Sequence, residues 1–513
     1  MWSFIITLSI IFGVMMLANF LHRVIPFLRK SLLPASVVGG FIALALDAAF
    51  KAIFKRSMFD LTTLEAITYH GLGLGFIALA WRHLDSVKGK KARADVFNTS
   101  TITVGAYLLQ GIVGTLITLV LFYLIGSFAA GGILLPMGYG QGPGQAFNWG
   151  TNYENNYGFI NGSSFGLTIA AMGFVSASVG GLIHLNGMRK KGDPRANIEN
   201  AQSIEDLSAE KITGANEIPI SESMDKLTVQ FALIFFTYAV SFASMWLLYH
   251  FVLEPAGGFC MSTINPLIWG FNFLIGTAWA ILFKKIGDFL RAKKIMHREY
   301  TNNFMLNRIS GLMFDLMVVS SIASINLSAF KYKNFWVPLL LVCVSGALIT
   351  YWYVMWMSKK LFPDYTDEEF LAMYGMLTGT ASTGIILLRE IDPLYKTPAS
   401  HNLIYQNLYA IVLGAPMLLL MGFFPKSTGW TWACFAILIV LFAFILALQY
   451  RKEIRERILA KKNISQNIMQ EGAPVADGES PDATFTEGEP NAAESPDAGS
   501  PESIDTGAPE AEA

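Results

Sequence analysis

Long apolar runs alternate with short polar loops over most of the 513-residue chain. A membrane-spanning helix needs about 20 consecutive apolar residues, and eleven runs come close to that length. They lie near residues 3–21, 33–49, 63–81, 101–126, 162–185, 228–253, 263–283, 309–328, 335–357, 402–424 and 430–449. Two further apolar segments, 129–150 and 368–390, are interrupted by Gly, Pro, Ser and Thr. The pattern predicts an all-α polytopic membrane protein with eleven spans and two irregular segments.

The composition agrees with this prediction and argues against an enzyme. Charged residues make up 15% of the chain, whereas soluble proteins carry about 25%. The three cysteines, Cys260, Cys343 and Cys434, are far apart and match no metal-binding spacing. Because the sequence contains no recognisable nucleophile–base pair or metal-ligand set, we expect no catalytic residues, no cofactor and no nucleic-acid partner.

The net charge of −1 is the sum of two unlike parts. The chain from Glu471 onward holds twelve acidic residues and no Lys or Arg, so the preceding part carries −1 + 12 = +11. Most of those basic residues lie in the loops that follow the odd-numbered spans. Since Lys and Arg concentrate in cytoplasmic loops, we expect the N-terminus outside and the C-terminus in the cytoplasm.

The number of spans before the long polar stretch predicts an inverted repeat. Five spans precede that stretch, so the second half enters the membrane from the opposite side, as in many transporters. Each repeat then has five transmembrane helices and one irregular segment, and one extra C-terminal helix follows. The predicted units are a first transmembrane repeat (1–188), a cytoplasmic linker (189–226), a second, inverted repeat (227–425), an extra transmembrane helix with its basic flank (426–461) and a disordered acidic cytoplasmic tail (462–513).

Weak sequence similarity between the halves supports the repeat. The segment 33–41 is similar to 264–271, and each contains a proline followed by a glycine. The Gly-rich stretch 139–145 occupies the same place in the first half as 377–384 does in the second. The matched positions of these segments within each half are stronger evidence for a repeat than the residue similarity itself.

The two irregular segments are the candidate binding site. Irregular backbone at membrane depth must line a cavity or be buried in protein, so we interpret 129–150 as a re-entrant hairpin from outside and 368–390 as one from the cytoplasm. The alternative is two ordinary loops with turn glycines. If the hairpin tips meet near the midplane, the predicted substrate-binding residues are Gly140, Gln141, Gly142, Gly144, Gln145, Thr378, Gly379, Thr380, Ser382 and Thr383.

Three residues outside the tips could bind ions. Asp315 lies within an apolar run and is a candidate cation ligand or proton carrier, although it could simply be hydrated near the end of its span. Asn326 is a second candidate cation ligand, with an interhelical hydrogen bond as the alternative. Arg389 could hold a substrate carboxylate bidentately, or serve as an interface anchor beside Glu390 and Asp392.

These features together resemble the bacterial sodium/glutamate symporter family over residues 1–425. The resemblance is carried by the segments 33–40 and 138–150, the Asn265-Pro266-Leu267 element, Asp315 and the segment 378–384. It implies a multi-pass protein of the bacterial cytoplasmic (inner) membrane in which sodium drives uptake of glutamate or a related anionic amino acid. It also implies a homodimer. The first hairpin reads Gly-Gln-Gly-Pro-Gly-Gln rather than the family's Gly-Gly-His-Gly-Thr-like sequence, and this difference concerns the substrate more than the mechanism.

We therefore expect a secondary active symporter whose partners are a small anionic substrate, sodium as the coupling ion, and the lipid bilayer. Two alternatives stay open at this point. One is a passive ion or solute channel built on the same two hairpins, and the other is a symporter of a different carboxylate. Sodium is the candidate metal ion, and whether the protein binds any other metal ion stays open.

Overall fold

The computed structural model describes residues 2–83, 89–197, 225–296 and 298–451. Most of the predicted cytoplasmic linker (198–224) and the whole of the predicted acidic tail (462–513) lie outside these residues. The described residues up to 451 belong to one compact unit. They are almost entirely helical and contain no extended strand, which confirms the all-α prediction.

Nineteen helices are named here in chain order. Those of the first half are α1 (Trp2–Val24), α2 (Pro26–Lys30), α3 (Ala35–Phe54), α4 (Leu61–Trp81), α5 (Lys90–Ile125), α6 (Leu134–Tyr139), α7 (Pro143–Tyr157) and α8 (Gly162–Lys190). Those of the second half are α9 (Lys226–Leu248), α10 (Glu254–Ala256), α11 (Asn265–Gly270), α12 (Asn272–Ala292), α13 (Asn303–Ala323), α14 (Lys333–Leu361), α15 (Thr366–Thr378), α16 (Ala381–Arg389), α17 (Ala399–Tyr405), α18 (Asn407–Leu420) and α19 (Thr428–Gln449).

The number of membrane-spanning helices is close to the predicted eleven. In the described part of the chain, ten helices are long and apolar enough to cross a bilayer, and the number reaches eleven if one bent pair is counted as a single span. That pair covers 260–292 and bends by 60° at Phe271, between α11 and α12. The span predicted at 263–283 therefore contains a bend, and the protein is a multi-pass helical membrane protein as expected.

The helices pack as two groups that share few contacts. The first helix group consists of α1, α3, α4, α9, α12 and α13, and the second helix group consists of α5 to α8 and α14 to α19. Contacts between the groups are made chiefly by α7, which packs against α4 and α13. Helix α7 also packs against the short helix α11. The helix breaks described below both lie in the second helix group.

Glycines in the left-handed conformation end two of the helices that matter for the site. Gly126 follows α5 with a φ of +68°, and Gly158 follows α7 with a φ of +73°. A residue in this conformation turns the chain sharply after a helix, and glycine adopts it at little cost. The turn at Gly126 lets the chain fold back along α5 into the segment that leads to α6.

Candidate functional site at two helix breaks

The first helix break lies between α6 and α7, at Gly140, Gln141 and Gly142. Gly142 has a φ of +89°, which side-chain-bearing residues rarely adopt. Pro143 then starts α7, in the position where a missing N–H costs nothing. The break is shorter than the tip predicted from sequence, because Gly144 and Gln145 already belong to α7.

The second helix break lies between α15 and α16, at Gly379 and Thr380. The two helices run side by side, since a Cβ added at Gly375 would lie 2.7 Å from the Cα atom of Gly384. Of the residues predicted for this tip, Thr378 ends α15, whereas Ser382 and Thr383 lie in the first turn of α16. The hydroxyl groups of Thr380 and Thr383 lie 3.4 Å apart.

The two breaks are in contact with each other. A Cβ added at Gly142 would lie 3.7 Å from the Cγ2 atom of Thr380. Gly173 of α8 closes one side of the same region, because a Cβ there would lie 2.3 Å from the carbonyl oxygen of Thr378 and 3.0 Å from the Tyr139 ring. The tertiary structure thus brings together segments that are more than 200 residues apart in sequence.

Helix α5 positions both breaks through its middle section. The Tyr107 hydroxyl donates a hydrogen bond to the carbonyl oxygen of Gly140 at 3.0 Å. One turn later, the Gln110 amide donates to the carbonyl oxygen of Leu377 at 2.9 Å. Both carbonyl groups belong to helix ends, which lack intrahelical partners. A single helix therefore donates hydrogen bonds to backbone carbonyl groups of both breaks that lack intrahelical partners.

The two ends of α5 contact the opposite bases of the broken helix pairs. Toward its N-terminus, the Thr99 hydroxyl donates to the Glu369 carboxylate at 2.6 Å, at the start of α15. Toward its C-terminus, the Thr118 hydroxyl donates to the carbonyl oxygen of Ala129 at 2.8 Å, at the start of the segment leading to α6. The two broken helix pairs therefore approach from opposite ends of α5 and end near its middle.

Sequence reasoning missed this role of α5. The signal was present as polar residues inside a long apolar run: Thr99, Gln110 and Thr118 are all buried in the described structure. A buried polar side chain in such a run indicates a specific partner, because leaving it unpaired is costly. The sequence does not say which partner.

Several predicted site residues lie away from the breaks. Gln145 contacts the carbonyl oxygen of Gly270 rather than the second break. Arg389 is seven residues beyond Ser382 on α16, about 10 Å along the helix axis, and is exposed. Asn326 caps the short 3₁₀ turn after α13 by accepting from the Ser328 amide at 3.1 Å.

Asp315, the other candidate cation ligand, lies on α13 in the first helix group. Helix α13 packs chiefly against α3 and α4 of the same group. Asp315 is therefore on a different helix group from the two breaks.

A charged cluster surrounds the base of the second broken pair. Arg195, in the segment after α8, contacts Glu368 at 2.8 Å, Asp367 at 3.0 Å and Asp193 at 2.6 Å. We call Arg195 and these three acids the clasp. The hydrogen bond from Arg195 holds the pKa of Asp193 below its usual range, and the same bond raises the pKa of Arg195. The side chain of Glu368 is only 5% exposed, and removing one partner of a buried ion pair is strongly destabilising.

Within the described residues, no group of three or more His, Cys, Asp or Glu side chains is placed to hold a metal ion. The breaks instead offer neutral oxygen atoms and backbone groups. The exposed residues nearest the second break are Ala381 and Ser382. Helices α7 and α16 both begin at the breaks, and a helix N-terminus carries partial positive charge. Such an arrangement suits a small anion better than a transition metal.

Comparisons with known proteins assign neither a family nor a function to the chain. No protein-family model matches the sequence, and no curated protein matches it closely enough to be counted as a relative.

Proposed function

We propose that this protein is a secondary active transporter in which sodium drives the uptake of glutamate or a related small anion. The observation that carries the proposal is the contact between two helix breaks that approach from opposite ends of α5. A solute bound between them would be reached from one side of the membrane past the first broken pair and from the other side past the second. In this proposal the broken pairs are re-entrant hairpins.

The local chemistry at the breaks supports an anionic substrate. The backbone groups freed at a break must be buried or line a cavity, and both α7 and α16 direct their N-terminal ends to this place. Positive helix ends at broken helices receive anionic groups in transporters, while freed carbonyl groups coordinate cations. The Thr380 and Ser382 hydroxyls and the Gln141 amide add hydrogen-bonding groups.

Matched helix contacts support an inverted repeat. Helix α3 packs on α13 in the same way that α12 packs on α4, and α18 packs on α5 as α8 packs on α14. Such exchanged pairs are expected when α3, α4, α5 and α8 correspond to α12, α13, α14 and α18. Transporters with this plan move one part of each repeat against the rest, and the sparse contacts between the two helix groups are compatible with such motion.

Uptake into proteoliposomes tests the proposal. We expect labelled glutamate to accumulate above equilibrium only with an inward sodium gradient. Gln141→Ala and Thr380→Ala should each reduce initial uptake by about tenfold, the effect of losing about 1.4 kcal/mol of binding free energy. Thr62→Ala, which changes an exposed threonine outside the breaks, is the matched control and should retain uptake. Equal uptake with choline in place of sodium would refute sodium coupling.

The same preparation separates a transporter from a channel. A passive channel on the same two breaks would equilibrate solute without ever concentrating it, and it would show single-channel conductance in planar bilayers. Competition of glutamate uptake by a panel of unlabelled carboxylates identifies the substrate. If a different carboxylate competes more strongly than glutamate, the symport proposal stands with that compound as the substrate.

A further inference from the structure

Two neighbouring glutamates at the start of α15 are both buried but have different partners. Glu368 belongs to the clasp and contacts Arg195 at 2.8 Å. Glu369 is completely buried, and among the described residues its side chain accepts hydrogen bonds from neutral groups only. The Thr99 hydroxyl donates to one carboxyl oxygen at 2.6 Å, and the Asn402 amide donates to the other at 3.3 Å. The more deeply buried acid therefore has no described cation beside it, whereas its neighbour has one.

A second carboxyl group lies in the same hydrogen-bond network. The Tyr365 hydroxyl donates to Asp95 of α5 at 3.1 Å. The Asn402 amide, which donates to Glu369, also donates to the hydroxyl oxygen of Tyr365 at 3.1 Å. The exposed fraction falls along this chain of groups from 9% at Asp95 through 6% and 1% to 0% at Glu369. The network thus leads inward from Asp95 and ends at Glu369.

This network is short of hydrogen-bond donors. Asn402 is 1% exposed and its side chain points into the network, yet its amide oxygen has no partner among the described residues. A carboxylate only accepts hydrogen bonds, whereas a protonated carboxyl group has one donor. A proton bound to Glu369 therefore supplies a donor where acceptors are in excess, and it removes a buried charge.

Burial and the second acid both act against a charge on Glu369. A low-dielectric environment disfavours the charged form of a carboxyl group, and a nearby like charge disfavours it further. Glu369 lies on α15, outside the helices that are long and apolar enough to cross a bilayer. Burial, with a smaller contribution from Asp95, raises the pKa of Glu369 to about 8, although the bonds from Thr99 and Asn402 oppose this shift. The chemistry of the surroundings thus agrees with the hydrogen-bond pattern.

Other charged and titratable side chains on the elements around α15 have partners of their own. Lys91 contacts Asp364 at 3.2 Å, His184 contacts Asp367 at 3.1 Å, Lys360 lies 3.7 Å from the Tyr450 ring centre, the rings of His401 and Tyr405 stack at 4.2 Å, and Arg189 and Arg389 act on Glu390. The proton equilibrium of Glu369 therefore depends chiefly on its burial and on its own network.

We propose that Glu369 is a proton-binding site and that its proton holds the base of the second broken pair against α5. A neutral Glu369 fits the neutral groups that contact it. Loss of the proton would place a charge between Thr99 and Asn402, and this charge favours an arrangement in which Glu369 reaches water. The proton thus stabilises the packed arrangement over one in which α15 has moved, as any ligand does that prefers one state. The inference goes beyond the proposed function and does not depend on the substrate or the coupling ion.

Equilibrium unfolding of the purified full-length protein in detergent tests the site. Glu369→Gln mimics the protonated form, since a neutral amide both donates and accepts. The folded protein keeps a proton that the unfolded chain releases above about pH 4.3, so wild-type stability falls as the pH rises from there toward the folded value of about 8. The stability of Glu369→Gln relative to wild type should therefore rise at least about tenfold in the folding equilibrium constant between about pH 6 and 8.

Glu154→Gln is the matched control for this measurement. Glu154 is also a glutamate at the base of a broken pair, and it accepts from the Ser163 hydroxyl at 2.6 Å. Its stability relative to wild type should change less than about twofold over the same pH range. A folded Glu369→Gln protein whose relative stability stays constant or falls as the pH rises overturns the proposal.

Infrared difference spectroscopy tests wild type without relying on a variant. A protonated carboxyl group absorbs at a higher frequency than a carboxylate, so wild type should show a protonated-carboxyl band that is lost as the pH rises through about 8. This band should be absent from Glu369→Gln and retained in Glu154→Gln. A wild-type protein without the band overturns the proposal, as does a band of unchanged amplitude in Glu369→Gln. Neither measurement involves uptake, so the proton site and the proposed transport function can fail separately.

Discussion

The two broken helix pairs end at the same place but are held there by different means. The first pair, α6 and α7, packs through close backbone contacts with its neighbours: Gly132 lies against Gly114 of α5, and Gly150 lies against Gly162 of α8. The second pair, α15 and α16, packs against itself through Gly375 and Gly384. The first pair therefore depends on the helices around it, whereas the second has its own internal contact.

The bases of the two pairs differ as well. At the first base, the rings of Phe128 and Phe159 stack with centroids 4.4 Å apart, and the Tyr153 hydroxyl donates to the carbonyl oxygen of Met421 at 2.8 Å. At the second base, the clasp brings Arg195 to three acids. Breaks with similar positions can thus have a base held by aromatic contacts or a base held by ion pairs.

The largest expected effect comes from filling the glycine contacts. A Cβ at Gly132 would lie 1.8 Å from the carbonyl oxygen of Gly114, and one at Gly384 would lie 2.3 Å from that of Ala372. Backbone atoms cannot move aside cheaply, so Gly132→Ala and Gly384→Ala should each lose about 3 kcal/mol or more of stability. Thermal unfolding in detergent measures the loss. Gly287→Ala is the control, since nothing lies within 4 Å of its Cβ position, and a control that lost as much would contradict the packing argument.

Replacing Arg195, the cation of the clasp, should destabilise the second base more than a matched substitution destabilises the first base. Arg195→Gln leaves the buried Glu368 carboxylate without its partner, and we expect a loss of about 2 kcal/mol, reduced from the fully buried case because Arg195 is 42% exposed. Glu154→Gln at the first base should cost less than about 1 kcal/mol, because among the described residues Glu154 accepts hydrogen bonds only from Ser163.

A double-mutant cycle checks whether the clasp acts as a pair. Arg195→Gln combined with Glu368→Gln should cost less than the sum of the single changes, because neutralising Glu368 removes the unpaired charge. Strict additivity would show that Arg195 stabilises the base without using Glu368.

The bonds from α5 to the two breaks should contribute modestly. Tyr107→Phe removes one hydrogen bond to the carbonyl oxygen of Gly140, and the expected loss is about 1 kcal/mol. Gln110→Leu removes the bond to Leu377 and a second bond to the Thr350 hydroxyl at 2.8 Å, so it should cost somewhat more. Thermal unfolding measures both losses. If neither variant lost stability, α5 would not position the breaks.

The smallest expected effect is a pH dependence specific to the second base. The pKa of Asp193 is lower in the folded protein than its ordinary value because Arg195 donates to it. Its contribution is therefore present above about pH 4, the unfolded value, and is lost as the pH falls through the lower, folded value. Between about pH 5 and 3, wild type should lose a few tenths of a kcal/mol more than Arg195→Gln. Parallel pH profiles in the two proteins would contradict this.

Much of the fold follows from local sequence. The span pattern arises because each helix must be apolar over about 20 residues to cross a bilayer, so ten helices could be placed by reading the chain. The positions of the breaks at Gly140–Gly142 and Gly379–Thr380 were also predicted, since glycine next to proline or threonine disfavours a continuous helix. The bend at Phe271 was missed, because the run 263–283 is apolar enough to be read as one span despite Asn265, Pro266 and Asn272.

The contacts of the candidate site were harder to predict from the sequence than the helices were. Gln145 was predicted as a substrate-binding residue of the first tip, and in the structure its amide contacts Gly270. Its direction depends on how α7 rotates against α11, and this rotation is set by packing between helices that are distant in sequence. The same reason explains why the sequence placed Arg195 in the predicted linker (189–226) without indicating its contact with the base of α15.

The sequence by itself determined that this is a helical membrane protein with glycine-containing breaks in both halves, because the bilayer imposes its demand on every apolar segment separately. Only the tertiary structure decided which polar groups meet: Gly142 with Thr380, α5 with both breaks, and the Gln145 amide with the carbonyl group of Gly270. Those contacts depend on the relative placement of whole helices. No local pattern encodes that placement, since a buried threonine or glutamine reads the same whatever its partner.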